Sequence, residues 1–141
     1  MTMRILVADD SRFMRSYIMK MLREAGYTDL LEAENGLKAV EMYKLYRPSI
    51  VIMDFNMPVL DGLGALKKIK NMNMSAKVMM CTSMGGQKWI AEELIGHGAA
   101  QVIEKPYFQN LIPGVNKIAE ELFMYQLLKP IEGVPGKQVL F

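Results

Sequence analysis

Five times between Arg4 and Lys129 a short apolar run gives way to an amphipathic stretch of helical length. Arg4 to Ala8 (RILVA), Leu30 to Ala33, Ile50 to Met53, Lys77 to Cys81 and Gln101 to Glu104 have the length of strands, and most are apolar on both faces. A sheet with one wet face alternates apolar and polar residues, so these runs belong in a sheet covered on both sides. The segments between them suit crossover helices, which in such sheets are right-handed. The expected fold class is therefore α/β: a doubly wound, five-stranded parallel sheet with flavodoxin-like topology.

The helices carry their own punctuation. Ser11 is placed to cap the first, which Phe13, Tyr17, Met21 and Leu22 mark by their spacing and Gly26 stops. The second is expected over about Gly36 to Tyr46, with Leu37, Val40 and Tyr43 or Lys44 marking its faces, the third over about Leu63 to Asn71, and the fourth over about Gln87 to His97. The fifth begins after Asn110 with the stripe Leu111, Val115, Ile118, Leu122; Pro113 falls in its first turn, where a missing N–H is harmless, whereas Gly114 weakens it. From Lys129 onward Pro130, Gly133, Pro135 and Gly136 break the pattern. One domain over 1–128 and a flexible tail over 129–141, ending in Val139-Leu140-Phe141, are expected.

With 141 residues and 51% of them hydrophobic, the chain can bury the core of one ordinary domain, with little room for a fused output module. The net charge of +2 is spread thinly; Lys67, Lys68 and Lys70, the densest basic group, read as a solvated helix face rather than a nucleic-acid footprint. No apolar run approaches the ~18–20 residues that span a bilayer, and Met1 to Asp10 lacks an export signal, so a cytoplasmic monomer with no membrane or nucleic-acid partner is expected. The single cysteine, Cys81, has no disulfide partner in the chain and reads as a small buried hydrophobe, and most of the 14 methionines read as core.

In open parallel sheets, ligands gather beyond the carboxyl ends of the strands. Here the first strand finishes on Asp9-Asp10, the second on Glu34-Asn35, the third on Asp54, the fourth on Thr82-Ser83 and the fifth on Lys105-Pro106. The stretch IVIMDFNMP (Ile50–Pro58) shows the contrast most sharply, because a fully apolar strand stops on a carboxylate and Pro58 prevents the strand from simply continuing. With the spatial order 2-1-3-4-5 common to one class of these sheets, three aspartates, a hydroxyl and an ammonium converge on one rim. Unpaired, the three carboxylates would cost several kcal/mol to bury, or one would keep its proton. Lys105 neutralises one charge. A hard divalent cation neutralises the other two, and Mg²⁺ suits a site with few carboxylates and several retained waters, Mn²⁺ being a possible substitute.

Taken in order over about residues 1 to 125, the pair Asp9-Asp10, MDFNMP, Asp61-Gly62, CTSMG and EKP resemble the receiver domain of two-component response regulators, most closely the single-domain chemotaxis type. The resemblance implies that Asp54 accepts a phosphoryl group from the phosphohistidine of a sensor histidine kinase. Asp10, Asp54 and the backbone carbonyl of Asn56 would bind the metal, with Asp9 acting mainly through metal-bound water. Thr82 and Lys105 would contact phosphoryl oxygens, and the small Ser83 would let them approach. It further implies a signalling switch, not an enzyme beyond its own phosphorylation and dephosphorylation, with a protein target such as a flagellar motor switch or a phosphatase. The Lys105-Pro106 peptide would be cis, and the loop Met84-Gly85-Gly86 would move on phosphorylation. In one respect the chain departs from the pattern: many receivers have an aromatic residue three positions before the lysine, and Val102 stands there, so a tyrosine-rotamer switch is not carried over.

Other readings compete. A single-domain phosphorelay intermediate would use the same pocket. A haloacid-dehalogenase-like phosphatase needs an acid two positions after its nucleophile, yet Ser11 follows Asp9 and Asn56 follows Asp54 at that distance. A flavodoxin-like cofactor carrier needs a glycine- and hydroxyl-rich first loop, where this chain has two aspartates that repel phosphate. Among remaining residues, Trp89 reads as an amphipathic ring half covering the core, His97 as a helix C-terminal residue, and Asp61-Gly62 as loop geometry before the third helix.

Overall fold

The computed structural model describes residues 3–83 and 88–129. Its order is β1 (Arg4–Ala8), α1 (Arg12–Glu24), β2 (Asp29–Ala33), α2 (Gly36–Tyr46), β3 (Ile50–Asp54), α3 (Gly62–Met72), β4 (Val78–Thr82), α4 (Lys88–Gly96), β5 (Gln101–Glu104), a 3-10 turn (Phe108–Asn110) and α5 (Leu111–Leu128). All strand pairs are parallel and the sheet order is β2-β1-β3-β4-β5, as expected. Every residue of β3 and β4 is buried, which explains their unbroken apolar sequence.

Two hydrophobic clusters cover the two faces. Leu6, Val51, Met53, Val78 and Met80 pack with α2, α3 and α4, while Ile5, Val7, Ile50, Ile52, Met79 and Cys81 pack with α1 and α5. Among the described methionines only Met74 and Met124 are exposed; the rest are buried or partly buried against these clusters. No helix among the described residues is long and apolar enough to cross a membrane.

Several expectations change in detail. β3 and β4 each run one residue further than the apolar pattern, to Asp54 and Thr82, because neighbouring strands still pair there: Asp54 stands opposite Cys81, and Thr82 opposite Glu104. In α1 the Ser11 cap is present, its hydroxyl accepting from the Met14 N–H, and Gly26 follows the helix at φ +97°. The stripe Phe13–Tyr17 that marks α1 is nevertheless exposed, while Ile18, Met19 and Leu22 turn inward; Tyr17 instead sets its ring edge-on to Phe108 at 5.7 Å. Leu37 is likewise exposed on α2, where Ala39 and Tyr43 face the core. Trp89 is 62% exposed rather than half covering the core. Lys67 and Lys68 are solvated, but Lys70 reaches back to the carbonyls of Met74 and Ala76, closing the end of α3. α5 ends at Leu128; Met84, Gly85, Gly86 and Gln87, the last the expected start of the fourth helix, and the tail beyond Lys129 lie outside the described residues.

Two glycines mark close approaches. A Cβ on Gly114 would stand 2.9 Å from Met79 Cε and collide with the Gln101 amide, so the residue that weakens α5 lets it lie close on the sheet. Gly62 opens α3 directly behind β3, where a Cβ would collide with the Asp54 carbonyl oxygen and stand 2.8 Å from Phe55 Cα, both backbone atoms. Gly62→Ala should therefore lower the unfolding free energy by about 2 kcal/mol, read as a reduced urea midpoint at unchanged m value.

Candidate functional site

The carboxyl ends of β1, β3, β4 and β5 form one rim, and each delivers its side chain by a different local device. Asp9 extends the ladder past β1, its N–H donating to the Ala33 carbonyl at 3.1 Å. One of its carboxylate oxygens accepts the Ser11 N–H at 2.9 Å, the turn that launches α1, and the other accepts the Lys105 ammonium at 3.0 Å. Asp54, the last residue of β3, accepts from the same ammonium at 3.2 Å. Lys105 in turn is fixed by its N–H to the Thr82 carbonyl at 2.9 Å, and the Lys105-Pro106 peptide is cis, as the resemblance implies.

Asp9, Thr82 and Asp54 are 1%, 1% and 6% exposed, while Asp10 is exposed on the rim. Carboxylate oxygens of Asp9, Asp10 and Asp54 all lie within 4.8 Å of one another. Ser83 follows Thr82 on the surface, and Asn56 is exposed in the loop after β3. That loop is closed by the Phe55 carbonyl accepting from Gly62 N–H at 2.8 Å. Asp61 at its end caps α3, its carboxylate accepting from the Gly64 N–H at 2.7 Å.

The electrostatics follow from this crowding. Burial, followed by the Asp9 charge, raises the Asp54 pKa from 3.8 to about 6, against the pull of Lys105. Burial alone would lower the Lys105 pKa, but its hydrogen bond to Asp9 and the charges of Asp54 and Asp9 outweigh it, and the net shift is upward. Cys81, paired with Asp54 across the ladder, is buried, and burial pushes its thiol up to about 12. A cluster of three carboxylates and one ammonium, in which a carboxylate resists ionisation, is a site short of positive charge. Its donors are all hard oxygens, so the residues fit Mg²⁺.

Two features of the rim have no sequence signal. Val59 adopts φ +71°, with Leu60 N–H donating to the Pro58 carbonyl at 2.8 Å, a tight turn that β-branched residues seldom make. Arg15 donates from Nη1 to the Asp9 carbonyl at 2.7 Å and from Nε to Glu32 at 3.1 Å. In the sequence it is one of several basic residues on an amphipathic helix.

The response regulator receiver domain family matches residues 5–115. This chain belongs to that family. The chemotaxis protein CheY of Bacillus subtilis is 42% identical over 118 residues, covering 83% of this chain and 98% of that protein. CheY of Thermotoga maritima is 38% identical with the same coverage. Among solved structures, the CheX–CheY–BeF3–Mg complex from Borrelia burgdorferi superposes with a TM-score of 0.75 at 26% identity, covering 86% of this chain and 89% of that one. The chain is thus a receiver domain of the CheY type.

The raised Asp54 pKa has a stability consequence in the metal-free receiver. Folding raises it, so the folded state holds that proton more tightly than the unfolded chain. The cost of the charge is absent below pH 3.8, grows through the window up to about 6, and is complete above it. Asp54→Asn should accordingly stabilise the metal-free protein at pH 7 by about 2 kcal/mol. In urea unfolding with chelator present, that advantage should shrink towards zero as the pH falls to ~4, and added Mg²⁺ should narrow it at neutral pH.

Proposed function

We propose that this receiver is a stand-alone phosphorylation switch, with Asp54 taking a phosphoryl group from the phosphohistidine of a sensor histidine kinase. The observation that carries this reading is the convergence of Asp9, Asp10 and Asp54 at the mouth of a parallel sheet, with one ammonium bridging Asp9 and Asp54, in a chain of the receiver family. In the transfer, the N–P bond of the donor breaks as an O–P bond forms at the Asp54 carboxylate, and the imidazole leaves with the electron pair. Bound Mg²⁺ supplies positive charge for the phosphoryl oxygens, and Mn²⁺ suits the same oxygen donors.

The chain's own residues do the positioning. Asp10, Asp54 and the Asn56 carbonyl hold the metal in this reading, with Asp9 acting through a metal-bound water. Lys105, held between Asp9 and Asp54, gives a point charge to one phosphoryl oxygen; the Thr82 hydroxyl serves another, and Ser83 leaves room for their approach. Phosphorylation converts a pocket that is already too negative into one with three more acceptor oxygens, which draws Thr82 and the end of β4 towards it and resets the surface that follows. With Val102 half-buried on β5 where an aromatic would sit, that movement is transmitted without an aromatic partner on β5.

The CheY relatives support a role in chemotaxis. The downstream protein would then be a flagellar motor switch or a phosphatase; the Borrelia burgdorferi relative was solved in complex with one protein partner, CheX. The switch is read as a cytoplasmic monomer with its receiver domain over 1–128, catalysing only its own phosphorylation and dephosphorylation.

Incubation with a phosphorylated kinase or a small acyl phosphate should label the wild type only with Mg²⁺ or Mn²⁺ present. Asp54→Asn should abolish the labelling, and Lys105→Met should slow it by about 10²–10³-fold. Undiminished labelling of Asp54→Asn would remove the basis of the reading.

A further inference from the structure

We infer that Arg15 is a positioning residue for the metal site: it fixes the plane of the Asp9–Asp10 peptide and so aims the Asp10 carboxylate at the cation. The inference rests on the proposed reading of Asp9, Asp10 and Asp54 as a magnesium site.

Arg15 lies one helical turn beyond the Ser11 cap, with its N–H donating to the Ser11 carbonyl at 2.9 Å. Helical side chains lean towards the N-terminus, and this one folds back over the start of α1 to reach Asp9. Local electrostatics oppose that placement. The first turn of a helix carries partial positive charge and disfavours a cation, and the Arg15 side chain is only 12% exposed, so it has also lost most of its hydration. Glu32 on β2 offsets part of this cost at 3.1 Å. A residue serving only the stability of α1 has no reason to be a half-buried arginine.

Its bonds indicate what it does serve. The guanidinium is planar, and the Nε bond to Glu32 and the Nη1 bond to the Asp9 carbonyl leave it in two fixed directions. The Asp9 carbonyl belongs to the peptide that joins Asp9 to Asp10, so gripping it sets the direction in which the chain leaves Asp9. The other polar groups of Asp9 are also engaged: its N–H with Ala33, and its carboxylate with Ser11 and Lys105. Asp9 is therefore held on every side, and Asp10, the exposed member of the trio, takes its orientation from a clamped peptide. The Arg15–Glu32 pair borders a cleft of about 200 Å³ lined also by Ala33, Glu34 and Lys38, so one side of it faces water.

Charge and geometry predict opposite signs, and this makes the inference testable. A positive charge near a cation site repels the cation, so removing Arg15 should tighten Mg²⁺ binding if its charge is all that matters. Removing a positioning partner behind a metal ligand weakens binding instead. Mg²⁺ affinity of the full chain would be measured by amide-shift titration for the wild type, Arg15→Met, Arg15→Lys and Glu32→Gln. In parallel, labelling by an acyl phosphate would give the Mg²⁺ concentration at half-maximal rate and the rate at saturation. Arg15→Met should bind Mg²⁺ about tenfold more weakly, and Arg15→Lys, which keeps the charge but not the fork, should fail to restore it. The labelling rate at saturating Mg²⁺ should stay within about threefold of the wild type, because Asp10 can still be drawn into place by excess metal. Glu32→Gln should show a smaller loss in the same direction.

Equal or tighter Mg²⁺ binding by Arg15→Met, or full recovery in Arg15→Lys, would overturn the inference. Should Arg15→Met fail to fold by circular dichroism, Arg15→Lys decides, because it keeps the charge: weakened Mg²⁺ binding there supports the inference and wild-type affinity overturns it. A wild type that binds no Mg²⁺ would instead remove the underlying site reading, and both would fall together.

Discussion

The Lys105 ammonium, 3.0 Å from Asp9 and 3.2 Å from Asp54, links two strands whose ends would otherwise repel each other. Five parallel strands bring their polar termini to one rim because the sheet is covered on both faces and its strands all point the same way. That architecture concentrates charge, and only part of it is neutralised from within. The remaining deficit, visible in the raised pKa of Asp54, is what a divalent cation and a phosphoryl group can use. Fold and site are in this sense one problem: the same burial that stabilises β3 and β4 makes the carboxylate at the tip of β3 reluctant to ionise without a partner.

Much of this was legible in the sequence. The apolar runs locate the strands to within about a residue, and the polar residues at their ends point to the trio of aspartates, Thr82 and Lys105. The errors share a physical origin. Periodicity shows that a segment is helical but gives the buried face poorly when apolar residues occupy more than one stripe, as Phe13 and Tyr17 do beside Ile18 and Leu22. Trp89 went astray for the same reason, since its size argues for burial while its position on α4 faces outward. Lys70 and Arg15 are hidden because a basic residue on a helix reads as solvated unless its tertiary partners are known, and those partners include backbone carbonyls, which the sequence does not distinguish.

Beside the site, the surface carries its aromatic rings off β5. Val102 is half-buried on β5, while the neighbouring apolar cleft of about 80 Å³ is lined by Phe55, Leu63, Trp89, Ile90, Glu93 and Leu94. Phe55 directly follows Asp54 and is tied by its N–H to the Cys81 carbonyl at 2.8 Å, so one aromatic ring lies next to the carboxylate in the chain and shares a cleft with the exposed indole of α4. The aromatic content that β5 lacks is present on the other side of β4.

The chain's single thiol lies sealed under the rim, 1% exposed, with its pKa pushed up to about 12. Maleimides and spin labels that react with thiolates will pass it by in the native state, so the wild-type sequence already serves as an unreactive background. A cysteine introduced at any exposed position becomes the sole attachment point without first replacing a core residue. A single paramagnetic tag placed on the exposed face of α4 can then follow this receiver's motions in a protein whose packing has been left untouched.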